Sequence, residues 1–524
     1  MHSLRFVRLN LPKLQRNCLP GYRGAAGLLA LTAATVAISG YHVGVEDQAI
    51  YLPGILRTLN PALFPNDAAL FETQTKHTLI TQIVADFTRL THLSVEWGLL
   101  FFHLLAIFLL LLAVWRVADR CFAKTYAAWA GLAMLTGLML IPIAGTAQFI
   151  VDQYMHPRAL ATALILLPLA DFLPGENRRR GWFVYLFTGI CFVVAFALQM
   201  QMAAFGLGLL VFLAIPWERW IKVLKVHPAA LLLIPLPSFV RQFFEPGSPA
   251  WMEAARTRSQ HYLLRWEWYE WLGIIAPMFL FWWWAHLAEK RGENVLAWFC
   301  RRLALYGTLV LVLGGALVIP PAFERLTPFQ PMRMFTFIYI YMLVVGGGLL
   351  GEFFLRRTAW RWLVVFVPIA IGMYFGNWAQ FPASPHIEWP GQTPKNDWVQ
   401  AFLWIRNNTP TDAYFVLNPH YCRDKGEDTR GFRAWALRSS LADWEKDGAV
   451  ASLVPAIAPR WQTEVHARDN WRQFQSSDFA RLKQEFGVNW AVIEKPSTGG
   501  RAGPPPEILD CPYQNSSLYV CKIR

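Results

Sequence analysis

The sequence predicts a mainly α, polytopic membrane protein: a bundle of about eleven transmembrane helices, then a small α/β domain. Three observations carry this. The 524 residues are 55% hydrophobic and only 16% charged, where a soluble chain carries about a quarter charged residues. Runs such as "GLLFFHLLAIFLLLLAVW" and "GTLVLVLGGALVIP" approach the ~20 apolar residues that cross a ~30 Å hydrocarbon layer as a helix. From about Pro382 the composition changes to that of an ordinary mixed polar chain. The predicted domains are therefore 1–381 in the membrane and 382–524 outside it.

In order, the spans fall at roughly 24–41, 98–118, 125–146, 158–174, 182–198, 202–216, 229–240, 271–287, 303–320, 334–354 and 360–376. The seventh, "AALLLIPLPSFV", is short and broken by proline, as in a broken or re-entrant helix. The first follows a long basic stretch and precedes ten more spans, which reads as a retained anchor rather than a cleaved signal. Gly347 and Gly351 in "VVGGGLLGEFF" stand at GxxxG spacing, a device for close helix packing.

Net charge is +13, and its location decides its meaning. Residues 385–524 hold 17 Lys and Arg against 16 Asp and Glu, which leaves 31 against 19 for the rest of the chain. A basic nucleic-acid-binding face is excluded by that distribution. With the N terminus cytoplasmic, the six inner segments carry 21 basic and 5 acidic residues, and the outer ones 10 and 12. Lys and Arg in short loops resist translocation. The expected topology is thus N terminus inside and C-terminal domain outside.

Between the first two spans lies a long outer loop, 42–97. It opens with adjacent carboxylates, Glu46 and Asp47, followed by "QAIYLPGILRTL" and "HTLITQIVADFTRLTHLS", both apolar at helical intervals. Leu79, Ile83, Phe87 and Leu90 form one stripe, as expected of a helix lying along the membrane surface. A carboxylate pair at such a helix start suits the positive end of its dipole. It equally suits removal of a proton from an acceptor hydroxyl. Other outer segments supply cations and hydroxyls: Asp152, Tyr154, His156 and Arg158 before span four, Arg256, Arg258 and His261 in the 241–270 loop, and Gln330 and Arg333 before span ten. Interfacial Trp and Tyr form an ordinary belt and Arg often snorkels to headgroups. Topology gives no reason to enrich Arg outside, however, and guanidinium groups match phosphate. Carboxylates from one loop and cations from three others fit a lipid-phosphate substrate: the cations hold the leaving group and a carboxylate activates the attacking hydroxyl. No cofactor is needed to write that reaction, and a divalent cation is compatible with it.

In the tail, "NDWVQAFLWIRNNTP" reads as an amphipathic helix and "DAYFVLN" as a strand. "SDFARLKQEFGVNWAVIEKP" repeats helix, turn and strand, with Ser477 or Asp478 as cap and Gly487 at the C-cap. "DCPYQNSSLYVCKI" predicts a hairpin, whose facing positions place Cys511 and Cys521 within reach of a disulfide. The charged stretch "CRDKGEDTRGFRAW" reads as a solvated loop. No Cys or His cluster has zinc spacing, and P-loop, GxGxxG and His-Glu-x-x-His motifs are absent from the sequence.

This layout resembles the GT-C superfamily of membrane glycosyltransferases. The resemblance implies a first outer loop bearing an acidic motif and two interfacial helices, a shared core of spans, and a C-terminal domain outside. It also implies that an acidic residue at the start of that loop is catalytic, which maps by position to Glu46 or Asp47 in "VEDQAIYLP". A further likeness, to bacterial membrane proteins of uncharacterised activity, rests on "GVEDQAIYLP", "QYMHPRALA", "HYLLRWEWYEWLG", "TPFQPMRMF" and "WIRNNTPTDAYFV". The expected function is transfer of a sugar from a polyprenyl-phosphate-type lipid donor to an envelope acceptor at the outer face, with membrane lipids as surroundings. Two other readings stand beside it. A transporter or flippase of lipid-linked saccharide would carry ionisable residues at mid-span, and a non-catalytic envelope scaffold would be indifferent to loss of the carboxylates.

Overall fold

The computed structural model describes residues 20–175, 181–215, 247–392, 395–423, 430–495 and 506–524. The predicted seventh span, 229–240, lies outside them. Helix α1 (Tyr22–Ser39) is followed by the long loop, which holds α2 (Gln48–Leu59), α3 (Ala69–Thr75) and α4 (Ile80–Thr91). The bundle continues with α5 (Val95–Cys121), α6 (Thr125–Gly137), the two-residue strands β1 (Pro142–Ile143) and β2 (Gln148–Phe149), α7 (Pro157–Leu166), α8 (Trp182–Leu198) and α9 (Met200–Ala214). After α10 (Pro249–Arg256) come α11 (Trp268–Lys290), α12 (Asn294–Val318), α13 (Phe335–Leu350) and α14 (Ala359–Trp378).

Among the described residues, six helical stretches are long and apolar enough to cross a membrane: α1, α5, α11, α12, α14 and the stretch Pro321–Leu355 that contains α13. Helices α8 and α9 are apolar but shorter. The chain is an integral membrane protein. Large apolar side chains such as Phe183, Phe279, Val312 and Leu363 are more than half exposed on the bundle surface, which lipid tolerates and water does not.

The predicted third and fourth spans are not through-going helices. Helix α6 has 13 residues and α7 has 10, well short of a crossing. Pro142, which lacks an N–H, and Gly145, at φ +68°, turn the chain into the β1–β2 hairpin instead. Helix α13 runs through the centre with nearly every side chain buried. Its Gly347 lies so close to α6 that a Cβ would come 2.6 Å from the Met134 Cβ, the close approach that GxxxG spacing allows. On α4 the buried face is Ile80, Thr81, Val84 and Ala85 rather than the predicted stripe. Leu79 and Leu90 point outward, 48% and 82% exposed, as a helix with its back on protein and its apolar flank in lipid requires.

The C-terminal domain contains α15 (Asp397–Asn408), β3 (Tyr414–Val416), α16 (Phe432–Ala436), β4 (Ser439–Ser440), α17 (Lys446–Leu453), α18 (Ala458–His466), α19 (Ser476–Phe486), β5 (Trp490–Glu494), β6 (Leu509–Gln514) and β7 (Leu518–Ile523). The five strands order β4-β3-β5-β7-β6, with β3 parallel to β4 and β5, and β7 antiparallel to β5 and β6. Asn396 caps α15 by accepting from the Val399 N–H at 3.1 Å. Helix α19 is capped by Gln475, with Asp478 reaching back to the Gln475 N–H at 2.9 Å, so the cap lies ahead of Ser477. Cys511 and Cys521 are joined in a disulfide.

This domain is not tethered loosely. Arg430, at 0% exposure, donates to Glu388 and Ser384, and Glu388 also faces His42 Nδ1 at 3.1 Å. Arg433 is buried between Asp67 of the first loop and Asp447. The expectation of a solvated loop at "CRDKGEDTRGFRAW" therefore fails at Arg430 and Arg433. Charge alone does not mark a residue as exposed where two carboxylates wait in another element.

Candidate functional site

Residues 41–48 carry Asp47 to the end of the bundle and fix it there. Gly44, at φ +70°, packs under the Trp435 indole, leaving no room for a Cβ. Its N–H donates to Gln48 Oε1 at 2.8 Å, and Gln48 Nε2 donates to the Met155 carbonyl at 3.2 Å. That second bond staples the first loop to the segment before α7. Glu46 adopts the left-handed region, φ +47°, uncommon for a side chain of its size. The two adjacent carboxylates consequently diverge. Glu46 meets Lys446, whereas Asp47 Oδ2 faces His156 Nε2 at 3.3 Å and its Oδ1 lies 3.9 Å from Lys446 Nζ.

His156 caps α7: its Nδ1 accepts the Arg158 backbone N–H at 3.0 Å. A ring nitrogen that accepts carries no proton, so the neutral ring bears its hydrogen on Nε2 and aims it at Asp47. Burial, with the charge of Arg158, pushes His156 below its ordinary pKa and keeps it neutral, against the pull of Asp47. For Asp47, desolvation disfavours the anion. The hydrogen bond from His156 and the charges of Lys446 and Arg158 outweigh it and hold the carboxyl well below the usual carboxylate range. Tyr51 stands edge-on to the His156 ring at 5.3 Å and Tyr154 lies 6.2 Å away.

Deeper in, Arg158 Nη2 donates to both oxygens of Asp152, at 2.9 and 2.6 Å, all of it buried. Gln148, carried inward by β2, sets its amide 2.6 Å from Arg158 Nη1 and 2.6 Å from Arg333 Nε; both are donors, so the amide atom between them is assigned as its oxygen. Two guanidinium groups thus converge on one neutral oxygen. Arg333 is half-buried and borders a recess lined also by Thr146, Gln260, His261 and Gln330. His261 and Gln330 hydrogen-bond each other through one atom each, while His261 Nδ1 and Gln330 Oε1 are buried without a partner. The cluster sets Arg158, Arg333 and Lys446 against Asp152, Glu46 and Asp47, an even balance with the carboxylates Glu46 and Asp47 toward the open side.

Of the residues singled out from sequence, Glu46, Asp47, Asp152, Tyr154, His156, Arg158 and Arg333 come together, with His261 and Gln330 beside Arg333. Arg256 and Arg258 do not. Arg256 pairs with Glu324 at 2.9 Å, and Arg258 binds the carbonyls of Trp444 and Glu445, where it braces the C-terminal domain. Lys446 and Gln148 were not anticipated. The one amide in a stretch, 125–151, without a charged residue was a signal for Gln148; nothing in "LADWEKDGAV" marked Lys446. Among the described residues no group of three His, Cys, Asp or Glu side chains is arranged to hold a metal ion. A divalent cation at Glu46 and Asp47 would have to displace Lys446 and complete its shell from substrate or water.

Residues 77–240 match the family model described as dolichyl-phosphate-mannose-protein mannosyltransferase. That stretch contains Gln148, Asp152, His156 and Arg158. Over residues 77–240 the membrane domain is thus similar to a GT-C-type family. A second family model, described as a domain of unknown function, matches residues 396–452, which include Arg433 and Lys446. Among solved structures, the apo oligosaccharyltransferase of Archaeoglobus fulgidus aligns with 90% of this chain and 70% of its own at 12% identity, TM-score 0.48. No curated protein sequence matches the chain.

Proposed function

We propose that this GT-C-like protein is a glycosyltransferase that moves a sugar from a polyprenyl-phosphate donor to an acceptor hydroxyl, with Asp47 facing the extracytoplasmic side. The observation that carries the reading is the convergence of a half-exposed Asp47, oriented by neutral His156, with Arg158 from the first turn of α7 and Arg333 from the segment before α13. In the reaction the acceptor oxygen bonds to the sugar's anomeric carbon as the bond from that carbon to the phosphate oxygen breaks. The hydroxyl proton passes to Asp47, and the electron pair leaves with the lipid phosphate. Arg333, half-buried at the recess, is the cation best placed to hold that phosphate, with Arg158 behind it. Asp47's depressed pKa makes it a weak base. It suits a transfer in which the bond to phosphate breaks early and the hydroxyl becomes acidic only as it bonds to the sugar.

The test uses the full chain in liposomes containing dolichyl-phosphate mannose or undecaprenyl-phosphate hexoses, with transfer and lipid-phosphate release both followed. Asp47→Asn is expected to lower kcat by roughly 10²- to 10⁴-fold with the protein still folded. Unchanged turnover in that variant would end the assignment.

A further inference from the structure

We propose that Lys446 is a positioning residue of the Asp47 site, which makes the segment 396–452 a working part of that site rather than a separate binding module. The inference rests on the role given to Asp47 above. Lys446 opens α17, and only 16% of its side chain is exposed. An ammonium so enclosed requires partners, and among the described residues its ion-pair partners are Glu46 and Asp47, 400 and 399 positions earlier in the chain. Its backbone is pinned as well, because Asp443 Oδ1 accepts the N–H groups of Lys446 and Asp447.

Among the described residues, the groups around Asp47 are His156 and Tyr154 from the segment leading into α7, Arg158 from its first turn, Tyr51 from α2, Arg333 from the segment before α13, neighbouring Glu46, and Lys446. Of these, Lys446 alone comes from the C-terminal domain. It acts on both carboxylates: it engages Glu46, and with His156 on Oδ2 and its own ammonium toward Oδ1 it defines the plane of Asp47. Without it, the two adjacent carboxylates would share the pocket with no nearby ammonium among the described residues, and Asp47 would be free to turn. Docking of the domain does not depend on this contact. The Val43 N–H on Glu388 at 3.0 Å, Arg433 on Asp67, and the Gly431 N–H on the Gly44 carbonyl at 3.0 Å hold it independently.

The experiment reads Asp47 directly in the full chain reconstituted in liposomes. Carbodiimide treatment is expected to give a zero-length cross-link between the Lys446 peptide and the peptide holding Glu46 and Asp47. The pH midpoint for carbodiimide labelling of Asp47 is expected to rise by about one unit or more in Lys446→Met, because an opposite charge has been removed, and to stay near wild type in Lys446→Arg. With dolichyl-phosphate mannose, or whichever tested polyprenyl-phosphate sugar the wild type uses, Lys446→Met should lower kcat by on the order of tenfold with donor KM changed less than about threefold. Absence of the cross-link, an unmoved midpoint, or full kcat in Lys446→Met each overturns the inference. If the wild type turns over none of the tested sugars while cross-link and midpoint behave as stated, the glycosyltransferase reading fails and the control of Asp47 by Lys446 stands.

Discussion

At the scale of single residues, the site is a set of charges whose states are fixed by their neighbours. His156 is the pivot, since a backbone N–H occupies Nδ1 and commits Nε2–H to Asp47. Arg333 differs from Arg158 in being half-buried rather than enclosed. Its planar fork suits a phosphate in a way an ammonium does not. Arg333→Lys is therefore expected to raise donor KM by roughly tenfold with a smaller change in kcat, read from steady-state kinetics. His261 offers a check on folding energetics. Burial, then the charges of Arg333 and Arg258, lowers its pKa from 6.5 to about 3. Between those values the unfolded chain binds a proton that the folded chain refuses, so this group costs stability as pH falls from about 6.5. Thermal unfolding in detergent should show that loss, and His261→Gln should flatten it.

At the scale of elements, two contacts position the site. The first is α13 against α6, where Gly347 brings the backbones together. Because Arg333 lies just before α13 and the Gln148 hairpin follows α6, a wedge between them would spread the site. Gly347→Val is expected to destabilise the bundle by about 1–3 kcal/mol, the usual result of overpacking, and to raise donor KM through Arg333. Unfolding in mixed detergent, together with kinetics, measures both. The second contact is the buried Arg433 between Asp67 and Asp447. Removing one partner of a buried pair leaves an uncompensated charge, so Arg433→Met should cost about 3–5 kcal/mol. Protease sensitivity of the C-terminal domain in liposomes should rise accordingly. Wild-type resistance in that variant would show that the other contacts suffice.

At the scale of the whole molecule, the site exists only because the first loop, the segments before α7 and α13, and the C-terminal domain meet at one end of the bundle. Hydrophobic runs long enough to span a bilayer, the change of composition near Pro382, the helix of "NDWVQAFLWIRNNTP" and the hairpin of "DCPYQNSSLYVCKI" were all legible along the chain. Each is set by local pattern: apolar length, period and turn chemistry within some twenty residues. Glu46, Asp47, His156, Arg158 and Arg333 were also legible as residue types on one side of the membrane. What local pattern could not supply is the choice between partners. Arg256 and Arg333 look alike in sequence, yet one pairs with Glu324 and the other shares Gln148 with Arg158. Arg433 reads as a solvated charge and is buried; Lys446 reads as nothing and meets the carboxylates. A charge finds its state from whichever opposite charge the fold brings within a few ångströms, and for these residues that partner lies tens to hundreds of positions away. Amino-acid order by itself determined the membrane bundle, the appended α/β domain and the kinds of side chain available at their junction. Tertiary structure alone decided which of them touch, because Coulomb and hydrogen-bond energies depend on distance in space.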